Sequence, residues 1–331
     1  MNRVKWITQL AMALAACSGT FAADQPQRIK IATILPRGTS SHQALLEMAA
    51  KWRETGVALT LYTDAVMGGE AETVRRMRID QLQGAALSVA GLSELDHSVT
   101  ALQLMPMMFH SLEEVTYVRE RLRPLLEKRL EEKGFVALFW ADAGWVQIFS
   151  KKPVLHPDDV RKQKIFVLAS DSSQTDLMKA AGFQAVALEY TDILTGLQTG
   201  LIDTVPTAPF YALAGQFYLP APYMLELNYV PLVGGLVITR KAWDAIPPGA
   251  RDSMRKAAEE AGKKISIQGH QEMLEAVAAM QKRGMKVTQL TPSAEAEWRA
   301  LFDGLYPKIR GSMVPADLFD EVQRLLREYR K

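Results

Sequence analysis

Cysteine is almost missing from this chain: its 331 residues include one, Cys17. No intramolecular disulfide can form, so the core must hold by packing, and a thiol nucleophile would have to be that single residue. Histidine is scarce as well. The five are His42, His97, His110, His156 and His270, and no two stand in an HxxxH pair, so a zinc site would need ligands from distant segments. An excess of one charge is also lacking, since 39 Lys and Arg face 37 Asp and Glu for a net charge of +2. That balance gives no footprint for nucleic acid or another polyanion. No stretch approaches the roughly 20 apolar residues of a membrane-spanning helix, which excludes a permease. Low-complexity segments and short-period repeats are missing. Gly68-Gly69 has neither the Lys and Ser/Thr of a phosphate loop nor the spacing of a dinucleotide fingerprint, and no Gly-x-Ser-x-Gly elbow occurs. Asp158-Asp159 reads as a helix-start pair complementing the dipole. Nothing forms a catalytic constellation, and no cofactor or metal is implied.

The N-terminus has what export requires. Arg3 and Lys5 precede the short apolar run Trp6–Ala16, and small residues follow to Ala23. A charged start, an apolar middle and a small-residue exit read as a signal peptide over 1–22. Thr20-Phe21-Ala22 fits ordinary cleavage, which would free the mature chain. Leu14-Ala15-Ala16-Cys17 fits a lipobox, which would leave Cys17 lipid-modified. Either exit leaves some 300 residues, ample for a large core and commonly two domains.

That remainder alternates strand and helix patterns. Strands are expected at 28–35, 57–62, 84–89, 135–140, 145–150, 164–168, 185–188, 203–205 and 236–239, with helices between them. The helix over 112–133 carries Glu and Arg at ion-pair spacing and ends at Gly134. Pro247-Pro248 opens a long helix to about 283, and helices over 294–306 and 317–330 follow. The reading is an α/β protein with a mostly parallel sheet, two lobes and a long C-terminal helical portion.

Several segments carry a family likeness. Pro36-Arg37-Gly38-Thr39-Ser40-Ser41-His42, Gly68-Gly69-Glu70-Ala71-Glu72, Pro157-Asp158-Asp159-Val160-Arg161 and Trp243-Asp244-Ala245-Ile246-Pro247 resemble the corresponding segments of TRAP-transporter solute-binding proteins of the DctP type. The most specific piece is Leu194-Thr195-Gly196-Leu197-Gln198-Thr199-Gly200-Leu201-Ile202-Asp203, similar to that family's helix-turn-strand signature. The likeness runs in order from Ile29 to Tyr329. It implies a periplasmic two-lobed binding-protein fold that closes on a small molecule and delivers it to TRAP membrane permease subunits. The implied lobes are 27–147 with about 236–275, and 148–235 with about 276–331.

One departure bears on the ligand. The family pattern places an Arg, which clamps the ligand carboxylate bidentately, where this chain by alignment has Phe166. A second basic slot falls near Val146 and Gln147. Trp140, Trp145, Phe210, Tyr211 and Phe217 stand nearby, and an aromatic floor suits an apolar or amphipathic ligand. Family members without the Arg are thought to serve hydrophobic ligands alongside a tetratricopeptide-repeat periplasmic partner. The ligand-contact candidates are Arg37, Ser40, His42, Ser88, Trp145, Phe166, Pro206, Thr207 and Phe210. Arg37, or less readily Arg75, could restore a missing charge and make the protein a conventional carboxylate receptor. A module that senses a ligand for a sensor protein, and an exported hydrolase, are the other readings. A monomer is expected, since no coiled-coil seam is evident.

Overall fold

A computed structural model describes residues 27–169 and 172–331. The signal peptide, both expected cleavage sites and Cys17 lie outside the described residues. Strand β1 (Gln27–Thr33) buries Ile29 between exposed Arg28 and Lys30, is buried throughout from Ile31, and pairs in parallel with β2 (Val57–Tyr62) and β3 (Gly84–Ser88). On the far side, β5 (Lys164–Leu168) pairs in parallel with β6 (Gln184–Leu188) and with β7 (Thr204–Thr207). These are the expected strand-helix-strand units, each with its crossover helix.

The centre of the sheet departs from the mostly parallel expectation. Strand β4 runs unbroken from Phe135 to Ser150 and β8 from Tyr223 to Thr239. They pair antiparallel with each other, β8 antiparallel with β3, and β4 antiparallel with β7. The sheet order is β2-β1-β3-β8-β4-β7-β5-β6, and β9 (Lys286–Gln289) joins β8 in parallel. At about 3.4 Å per residue, strands of this length cross both halves of the molecule. Each read as two elements or one short one in sequence because each is interrupted. Gly144 takes φ 111°, open to glycine at low cost, and the β4–β8 register shifts beside it. Pro231, which cannot donate to a ladder, sits opposite Trp145 there. Asn228 takes φ 50°, and its amide is satisfied by a side chain: Gln147 Oε1 accepts from Leu227 N at 2.8 Å and from Asn228 N at 3.1 Å.

The long helix Pro248–Lys282 lies along β4 and presents Met254, Ala258, Ala261, Ile265, Met273 and Met280 inward at helical spacing. Its close approach depends on two glycines one heptad apart. A Cβ on Gly262 would lie 2.8 Å from the side chain of Phe139, and one on Gly269 would lie 3.1 Å from Ala143. At the β4 bend, the buried Asp142 accepts from Arg119 of the helix Leu112–Glu132 and meets His270 Nε2 of the long helix at 2.6 Å. Burial pushes the Asp142 carboxyl up, but His270 and Arg119 outweigh it and hold its pKa below the usual range. Beyond the expected elements stand β9 and the short helices Val89–Ser93, Pro209–Ala214 and Arg240–Ala245, all too brief to show a period.

Gly262→Ala should lower unfolding stability by about 1–3 kcal/mol through overpacking. Gly249→Ala, whose added Cβ meets nothing within 4 Å, should be neutral or stabilising by up to about 1 kcal/mol. Denaturant unfolding of the two variants checks both, and equal effects would refute the close-approach account.

Candidate functional site

A cavity of about 70 Å³ opens between the C-terminal ends of β1 and β3, the middle of β4 and β8, and the helix Pro209–Ala214. Its walls come from several strands and helices. Leu35, Leu87, Leu232 and Val233 line it, and the Phe210 ring lies 4.1 Å from that of Tyr211, centroid to centroid and tilted by 37°. Strand ends and helix starts converge here because parallel strands deliver their loops to one edge, the usual place for ligands in α/β sheets. The lining is apolar except for Thr33, Ser41, Glu70, Ser88 and Tyr211, and no Lys, Arg or His is among its described residues.

Glu70 is the one ionisable carboxyl in that wall, and it is 8% exposed. It opens the helix Glu70–Arg78, which places its side chain under the short helix Val89–Ser93. Oε1 accepts from Ser88 N at 2.6 Å, Oε2 accepts from Ser88 Oγ at 2.5 Å, and the Gly91 backbone N–H also donates to the carboxyl. Burial raises its pKa above the ordinary carboxyl range, outweighing the hydrogen bonds from Ser88 and Gly91, which pull it down. Tyr211 is 8% exposed. Burial pushes its phenol well up, and the nearby Tyr190 and Glu70 add to the shift.

Other donors near this edge are taken by the protein's own acids. Thr39 caps the helix Ser40–Glu54, and the Glu272 carboxylate sits on its first turn, accepting from Ser40 N at 3.3 Å and Ser40 Oγ at 2.6 Å. Arg37 Nε lies 3.0 Å from Asp64 Oδ2, and Arg75 pairs with Glu72. His42 Nδ1 accepts from Gly38 N at 3.2 Å.

Of the residues singled out from sequence, Ser88 and Phe210 line the cavity, and Ser41, next to Ser40, lines it too. The rest stand elsewhere. Trp145 is half-buried against the largest core cluster. Phe166 lies on β5 opposite Val186 and packs against the cluster around Phe149 and Ile193. Pro206 borders a separate small cavity with Trp298 and Phe302, and Thr207 pairs with Gln147. Gln147, near the second basic slot, is spent on the β8 backbone. Glu70 was read only as a helix opener and Tyr211 only as part of an aromatic floor. A carboxylate in a helix's first turn looks like a dipole complement, and its burial is not visible locally. Among the described residues no group of His, Cys, Asp and Glu could hold a metal ion.

With a raised pKa, Glu70 keeps its proton to higher pH in the folded chain than in the unfolded one. The stability tied to that proton is complete below the unfolded value, near 4.3, and is lost as pH rises through the folded value. Glu70→Gln removes this dependence, so its melting temperature relative to the parent should climb across the window that opens above about pH 4.3. A difference that stays flat across that window would show that burial does not shift this carboxyl.

Comparison with known proteins gives one consistent outcome. Residues 31–311 match the family model described as bacterial extracellular solute-binding protein, family 7, DctP. The chain is 21% identical over 305 residues, 90% of this chain and 91% of the relative, to the C4-dicarboxylate-binding periplasmic protein DctP of Rhodobacter capsulatus. Its fold is similar, at TM-score 0.83 and 20% identity, to a TRAP periplasmic solute-binding protein of Chromohalobacter salexigens with bound D-glucuronate, over 90% of this chain and 99% of that one. A counterpart from Sulfurospirillum deleyianum with bound succinate gives 0.83 at 21% identity, over 91% and 99%. These neighbours share the two-lobed mixed α/β architecture, and no helix among the described residues is long and apolar enough to cross a membrane. The chain belongs to the DctP family of bacterial extracellular solute-binding proteins.

Proposed function

We propose that this receptor takes an apolar or amphipathic organic solute into the cavity between its two lobes and delivers it, in the periplasm, to TRAP permease subunits. The observation that carries the reading is the chemistry of the wall: apolar side chains, one buried carboxyl and no cationic side chain among its described residues. A carboxylate buried there without a partner would cost several kcal/mol (on the order of 2–7 for an unpaired polar group, more for a charge). The helix start and Arg37, which could offset that cost, already serve Glu272 and Asp64.

Lobe boundaries at 27–147 with about 236–275, and 148–235 with about 276–331, are part of this reading. They are supported by the two long strands that run between the halves, with a glycine bend in β4. Closure around the bend would be a hinge motion stabilised by contacts to both lobes. Lipid attachment at Cys17 and a tetratricopeptide-repeat partner rest on the sequence likeness alone. We assign no catalytic step.

Relatives that hold D-glucuronate and succinate favour a second reading, a carboxylate receptor in which Arg37 leaves Asp64 to clamp the ligand. Thermal-shift screening of the mature chain separates the two. Sterol-like compounds, long-chain molecules and aromatic compounds should stabilise it, by about 2.7 kcal/mol at a hundredfold excess over Kd, and C4-dicarboxylates should not. Stabilisation by dicarboxylates alone, abolished by Arg37→Ala, would establish the second reading and end the first.

A further inference from the structure

The cavity's polar groups narrow the ligand's head group. This step rests on the apolar-cavity reading above and goes past it. Glu70 and Tyr211 line the same cavity, close enough for the Glu70 charge to act on the phenol. Three of the roughly four acceptor positions of a carboxylate are taken on Glu70, by Ser88 N, Ser88 Oγ and Gly91 N. About one is left for an incoming donor. Tyr211 is more than nine-tenths buried, yet its hydroxyl, which has no hydrogen bond among the described residues, is not one of the fully enclosed unpaired atoms. That hydroxyl opens onto the cavity, where it can donate to or accept from what enters.

The geometry points to a neutral hydroxyl on an otherwise apolar molecule as the group this cavity recognises, with Glu70 and Tyr211 as its specificity-determining partners. A hydroxyl both donates and accepts. It can donate to Glu70 as a carboxylate or accept from Glu70 as an acid, and it can accept from Tyr211 in either case. A carboxylate head would meet like charge across an apolar gap whenever Glu70 is ionised. An ammonium head would need Glu70 ionised and would bury an ion pair with no further donors to support it.

A matched series tests this with the intact mature protein: methylcyclohexane, cyclohexylmethanol, cyclohexanecarboxylate and cyclohexylmethylamine, titrated by calorimetry at pH 7.5. The alcohol should bind at least tenfold tighter than the carboxylate and tighter than the amine. Tyr211→Phe should cost the alcohol about 5–10-fold and leave methylcyclohexane unchanged, which also verifies that the variant is folded. Repeated at a pH high enough to ionise Glu70 in the parent, Glu70→Gln should improve the carboxylate relative to the alcohol, since the like charge is gone. Equal affinity for all heads, tightest binding of the carboxylate or the amine, or no binding of the alcohol overturns the assignment. If apolar molecules still stabilise the protein in those cases, the apolar-cavity reading survives. If dicarboxylates alone bind, both fall.

Discussion

Antiparallel pairing of β4 with β8 is the constraint on which the rest of the molecule depends. The two strands share a ladder from Phe135 opposite Thr239 to Ser150 opposite Tyr223, and every other strand reaches the sheet through one of them or through a neighbour. The parallel units on each side, β1 with β2 and β3, and β5 with β6 and β7, are thereby held in one surface. Their strand ends meet where the ladder is irregular. The irregularity is built in: Gly144 bends β4, Pro231 withholds a donor, and Gln147 takes up backbone groups that β8 would otherwise leave unpaired. Buried backbone donors must find partners, so a bend in a central strand needs such a substitute.

The cavity sits on that bend, and its character follows from where the chain's own acids go. Glu272 occupies the start of the helix Ser40–Glu54, Glu70 occupies the start of Val89–Ser93, and Asp64 holds Arg37. Helix starts and guanidinium groups are the ordinary anion receptors of such a cleft. Here the protein has satisfied them internally. What is left facing the space is hydrocarbon, a carboxyl raised by burial and a phenol. This arrangement is the ground on which we propose an uncharged polar group, rather than a carboxylate, as the head of the ligand.

Much of this architecture was legible in sequence. Strand and helix periods, the Pro247-Pro248 start of the long helix, the Gly134 stop and the Gly200 turn all correspond to observed boundaries within a few residues. The family likeness over Ile29–Tyr329 gave the two-lobed fold. The antiparallel centre was not legible, because an interrupted strand reads as two short ones when the residue that bends it, Gly144, also resembles a turn. Ser88, singled out after a short strand, and Phe210, singled out among nearby aromatics, both line the cavity. Phe166 had a place in the family pattern, yet its side chain packs into the cluster beside β5. A strand position tells which residues share a face and not what covers that face.

By itself the sequence determined the elements, the lack of any disulfide, the near-neutral charge and the family, because these rest on composition and on contacts within a turn or a strand. Only the tertiary structure decided which groups meet. Ser40 and Glu272 are separated by 232 positions, and Glu70 is held by Ser88, the cap of a helix, 18 residues later. Whether an acid is solvated or buried depends on what packs over it. That is set by the long strands and the helix laid across them, and no local period carries it.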